Sequence, residues 1–214
     1  MSDANFNDAL VKLAAKIAGM VGYIEEQIVI TMEGFTENNP AKCDTAIEYT
    51  KSVQKLQNES FQNIIYLLVK FQPKGYDAKL VMSSWRIASS LERITFLMRD
   101  IAIQVKEIDH AHVSFAKSAL QNMCDSLLAQ TYDIVVAYTT DNKEVLPQIR
   151  QKEQYISSIY KSFFKEAFTF LNQNQDIINQ GEMILSLTKN LEITGRYMKE
   201  IADQLEYKNL SENK

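Results

Sequence analysis

The sequence predicts an all-α protein built as two tandem three-helix bundles, and three observations carry that reading. Six Gly and three Pro in 214 residues are too few for a fold rich in turns and strand ends, where those residues concentrate. Polar breakers recur along the chain and cut it into six stretches of similar length. The pattern LERITFLMRDIA at 91–102 returns as LEITGRYMKEIA at 191–202, the mark of an internal repeat.

Each element follows from its boundaries. ENNP at 37–40 ends a first helix, QPKG at 72–75 a second, DHAH at 109–112 a third, TTDN at 139–142 a fourth, and the polar run NQNQD at 172–176 a fifth, leaving a sixth to the end. Each helix has about 30 residues, a rod of roughly 45 Å with one side too polar to bury. In the third, Ile87, Leu91, Ile94, Met98, Ile101, Val105 and Ile108 alternate steps of four and three, a seam for neighbouring helices. The sixth repeats that register with Leu187, Leu191, Thr194, Met198, Ile201 and Leu205, until Lys208 breaks it. Helix three therefore matches helix six, and by extension helices one and two match four and five. The expected division is 1–108 and 109–214, each half needing its third helix to close a core.

Composition excludes several classes. With 46% apolar residues the chain can bury a sizeable core. A net charge of -4, without a Lys/Arg block, argues against nucleic acid. MSDANFNDAL at the start lacks a signal-peptide layout, and the longest apolar run, IIYLLV at 64–69, is too short to cross a bilayer. The expectation is a cytoplasmic protein without membrane insertion, its Cys43 and Cys124 reduced and structural. No phosphate-cradling glycine loop, GxSxG elbow or paired-acid cleft is present, so no enzyme is expected. His110 and His112 are the only histidines. Glu107 to His110 has the Glu-x-x-His spacing of di-iron bundles, but the second such motif and the two further Glu are missing, and the stretch reads as a solvated junction. In YISSIYKSFFKEAFTFL at 155–171, Ile156, Tyr160, Phe163, Ala167 and Phe170 form a core seam. Phe164 and Phe168 widen it, as core or as a subunit contact, and Trp85 and Phe96 raise the same alternative.

One residue past the seam leucines, Glu92 and Glu192 open a flank that continues through Phe96 and Arg99 in the first copy and Arg196 and Lys199 in the second. Two carboxylates at that spacing would suit a divalent cation. Here an aromatic or a cation replaces the second acid, and Glu192 with Arg196 reads as a surface ion pair.

These motifs carry a resemblance. LVMSSWRIASSLERI at 80–94, FQPKGYDAKLVM at 71–82, GMV at 19–21 and the repeated LE…M…IA pattern resemble the PhoU family, regulators of high-affinity phosphate uptake built from tandem three-helix bundles. The resemblance implies a non-enzymatic regulator that binds a phosphate ABC transporter and its sensor histidine kinase, and commonly forms a homodimer. Some family members bind iron or zinc clusters through E-x-x-x-D motifs. Here those positions read Glu92 with Phe96 and Glu192 with Arg196, and a further family Asp-Lys reads Thr50-Lys51 and Gln151-Lys152, so no metal or other cofactor is expected. The two flanks, Glu92, Phe96, Arg99 and Glu192, Arg196, Lys199, become partner-binding candidates instead. Two other readings are a metal-binding protein using Glu25, Glu26 or Glu33, and a helical scaffold unrelated to phosphate.

Overall fold

A computed structural model describes residues 2–108 and 114–208. The six helices are α1 (Ser2–Thr36), α2 (Pro40–Phe71), α3 (Gly75–Glu107), α4 (Lys117–Thr140), α5 (Leu146–Gln173) and α6 (Ile178–Lys208), with single 3-10 turns leading into α4, α5 and α6. Every break the sequence predicts within the described residues is found. Asn38 takes a left-handed φ of 52°. Asn39 then caps α2 by accepting from the Ala41 amide at 3.2 Å, with Pro40 in the first turn, where its missing N–H leaves no helical bond unmade. The second half repeats the device. Asp141 has φ 54°, and Asn142 accepts from the Glu144 amide at 2.9 Å. The predicted junction around His110 and His112 lies outside the described residues.

α1 packs on α2 and α3, and α4 on α5 and α6. α3 against α6 and α1 against α4 join the halves. α2, α3, α6 and α5 thus lie side by side, with α1 over the first pair and α4 over the second. One apolar core runs through both bundles. Where α1, α3, α4 and α6 meet, Met98, Leu120, Leu187 and Leu191 line a small void of about 10 Å³.

Burial fixes the repeat more fully than sequence identity does. Ile17, Met20, Ile24 and Gln27 of α1 are buried, as are Leu120, Met123, Leu127 and Gln130 of α4, each 103 positions on (17 to 120, 27 to 130). The same register holds from α2 to α5: Ala46, Val53 and Ile64 are buried with Ile149, Ile156 and Ala167. From α3 to α6 the register is 100 (91 to 191), because three fewer positions separate Ala167 from Leu191 than separate Ile64 from Leu91.

α3 and α6 run antiparallel. Gln104 Nε2 donates to Ser186 Oγ at 2.9 Å, Arg86 to Gln204 Oε1 at 3.3 Å, and the Arg93 guanidinium lies over the Tyr197 ring at 5.7 Å. Those pairs put Thr95 and Gly195 at the level of the local twofold. There the halves differ. Buried Gln27 donates to the Ala46 carbonyl at 2.9 Å and accepts from Thr95 Oγ1 at 2.7 Å. Gln130 repeats the first bond, to the Ile149 carbonyl at 2.8 Å, but Gly195 supplies no hydroxyl and Gln130 Oε1 is buried without a partner. A Cβ on Gly195 would stand 3.7 Å from that oxygen and 3.1 Å from Ile156 Cδ1, the movable end of a side chain. Gly195→Ser is therefore expected to stabilise the protein by about 1 kcal/mol, through higher helix propensity and one recovered hydrogen bond. Urea denaturation checks this, and a lower midpoint would show that Ile156 does not yield.

Cys43 and Cys124 are free thiols, both buried. Burial, with a smaller contribution from Asp125, pushes the Cys124 thiol up to about 12. Because the thiolate is the nucleophile, a thiol reagent at pH 8 should modify Cys124 only as fast as the protein opens. Immediate modification of the native protein would contradict this packing.

Candidate functional site

The seam that buries Leu91 and Leu191 turns the two candidate flanks toward different neighbours. On α3, Arg99 donates to its neighbour Asp100 at 2.8 and 3.0 Å and lies over the Phe96 ring at 5.1 Å. Glu92 is half-buried, with no ion-pair partner among the described residues. Two turns beyond Arg99 on the same ridge, Lys106 reaches Asp44 of α2, so this flank borders α2.

The flank on α6 borders α5. Lys199 donates to Asp203 at 2.8 Å, and Arg150 of α5 bridges Asp203 at 2.9 Å and Glu206 at 2.6 Å. Burial alone would raise the Asp203 carboxyl, but hydrogen bonds from Lys199 and Arg150 outweigh it and hold the group below its usual range. The structure does not bring the two candidate flanks together.

Glu192 corrects one expectation. The spacing predicts a surface ion pair with Arg196, and the pair is present at 3.3 Å, but the residue is only 6% exposed. Lys189 adds a second cation at 2.8 Å and itself lies over the Tyr160 ring of α5 at 4.8 Å. Two cations compensate one buried carboxylate, a more demanding arrangement than a solvated pair.

The donor set does not suit a family-type metal cluster. Glu192 is engaged by two cations, Phe96 carries no ligand atom, and a dication beside Arg196 would be repelled. Thr50 accepts from Gln27 Nε2 at 3.3 Å, and Lys152 pairs with buried Asp133. Glu33 of α1 is taken up by Lys42 of α2 at 2.7 Å, while Glu25 and Glu26 of α1 are exposed. Among the described residues no three His, Cys, Asp or Glu side chains converge on one point.

The open aromatic question resolves toward the surface. Phe163 is buried and stacks on Phe115 at 5.9 Å, whereas Phe164, Phe168 and Trp85 are 44, 59 and 41% exposed. Trp85 lies 6.4 Å from the ring of Phe61, at one end of a groove of about 500 Å³ between α3 and α6. The sequence reading left out Arg86, Arg93 and Glu200, which line this groove. Their signal was available in the spacing: Arg86 and Arg93 stand seven residues apart on α3, and Glu200 stands four residues beyond Arg196 on α6.

The PhoU domain matches the chain twice, over residues 17–105 and 120–205. The chain belongs to the PhoU family. A "Phosphate-specific transport system accessory protein PhoU homolog" of Rhizobium meliloti is 24% identical over 203 residues, 94% of this chain and 86% of the relative. A protein of that name in Clostridium acetobutylicum is 23% identical over 192 residues, 89% of this chain and 87% of the relative. Crystal structures of PhoU from Pseudomonas aeruginosa and Streptococcus pneumoniae share the fold. Their TM-scores are 0.91 and 0.88 at 16% and 22% identity, with 95% and 96% of this chain and 98% and 97% of theirs covered. The two family matches fall on the two bundles. No helix among the described residues is long and apolar enough to cross a membrane.

Proposed function

We propose that the chain is a cytoplasmic, non-enzymatic regulator of phosphate uptake and phosphate-responsive signalling, acting by binding the phosphate ABC transporter and its sensor histidine kinase. The observation that carries this reading is the doubled family match, one copy per bundle. Relatives named for phosphate-specific transport, covering nearly the whole chain, support it. The unit is divided at residues 108 and 109, works as a homodimer, and presents Phe96, Arg99, Arg196 and Lys199 on ordered ridges whose charge pattern selects partners. It does so without the family's iron or zinc, since cations hold Glu192 where a metal would need its carboxylate.

Deleting the gene is expected to raise phosphate uptake and phosphatase expression under phosphate excess. Unchanged uptake and expression would leave the scaffold reading in its place. Protein purified without chelator should contain well under one metal ion per chain by elemental analysis, and stoichiometric iron or zinc would reinstate the metal-binding reading.

A further inference from the structure

We infer that the groove between α3 and α6 docks a helix of a partner protein, acidic along the edge that meets α3 and basic along the edge that meets α6. The inference rests on the protein-binding reading above and specifies its surface. Arg86 and Arg93 stand seven residues apart on α3, two turns and roughly 10.5 Å along one ridge. Both are exposed. Arg86 is held by Gln204 and Arg93 by the face of Tyr197, and neither has a carboxylate partner among the described residues. On the opposite wall, exposed Glu200 has no cation partner among the described residues, while Asp203 is held by Arg150 and Lys199.

One wall is thus positive and the other negative, with charges left unneutralised on both. A uniformly acidic surface, such as an anionic lipid headgroup layer, would meet the Glu200 wall unfavourably; a helix with opposite charges on its two edges satisfies both. The shape agrees, because a channel between two packed rods accepts the side-chain ridge of a third. Trp85 and Phe61, 41 and 39% exposed, form an apolar anchor at one end, and Trp and Arg are the residue types that most often dominate binding energy.

Trp85 is the only tryptophan, so its fluorescence reports directly on the groove. The probe is a synthetic 18-residue helix with two Glu seven positions apart on one edge, Lys on the other, and Leu where it meets Trp85. Titration of the full chain should shift Trp85 emission saturably. Arg86→Glu with Arg93→Glu should weaken binding about tenfold or more, and replacing only the two Glu of the probe with Lys should restore it. Lys161→Glu with Lys165→Glu, on the outer side of α5, should change nothing, and circular dichroism verifies that each variant is folded. A probe that fails to saturate, or that binds the charge-reversed variant equally well, overturns the groove whether or not phosphate regulation is intact. Probe binding with the predicted charge dependence, in a protein whose deletion leaves phosphate uptake unchanged, would uphold the groove and remove the phosphate reading.

Discussion

Leu191→Ala should lower the unfolding free energy by about 3–5 kcal/mol, the upper part of the range for truncating a buried leucine. Leu191 is 1% exposed and borders the void where α1, α3, α4 and α6 meet. That position decides the magnitude. A site able to collapse after truncation recovers part of the lost contact, but here four helices from both bundles hold an existing void open, so the new space adds to it. Leu91→Ala, at the equivalent place on α3 and away from that void, should cost less, about 2–3 kcal/mol. Urea denaturation of both variants checks the ordering. A Leu191→Ala cost below about 1.5 kcal/mol would mean that the bundles do not share a packed core.

Gln27→Leu is expected to cost about 2–4 kcal/mol, while the same change at Gln130 costs only about 1 kcal/mol. Leucine keeps most of the volume, so the difference isolates polar satisfaction. Gln27 serves Ala46, Thr50 and Thr95, and its loss strands the Thr95 hydroxyl, fully buried on α3. Leaving such groups unpaired costs more than the bonds themselves contribute. Gln130 makes one such bond and already carries an unpaired oxygen, so leucine removes a liability along with that bond. Equal costs at the two positions would contradict the hydrogen-bond assignment, and paired melts of the two variants measure it.

The helices were legible because their breaks rest on local chemistry: Asn39-Pro40, Gln72 with a left-handed φ of 46°, and the Asp141-Asn142 turn act within a few residues. The α3 seam was legible because its residues keep one period. The match between the first two helices of each half was not, since it survives in burial while identity has drifted: Ser60 stands against Phe163 and Ile64 against Ala167. The flanks were found in sequence, but their surroundings were not. Glu192 lies one step past its seam, where periodicity predicts exposure; its burial depends on what packs beside α6, a tertiary fact that helical spacing does not encode. The same limit hid the groove, whose walls come from segments more than 100 positions apart.

The disagreement between Thr95 and Gly195 also bears on origins. Where two identical chains pair about an axis, a residue on that axis confronts its own duplicate, and a change in one is forced on the other. Covalent fusion of the two units lifts that constraint, so one member could keep its hydroxyl while the other surrendered it to make room for Ile156. Within a single polypeptide the two halves are free to differ, and the glutamine left without its donor is one place where they do.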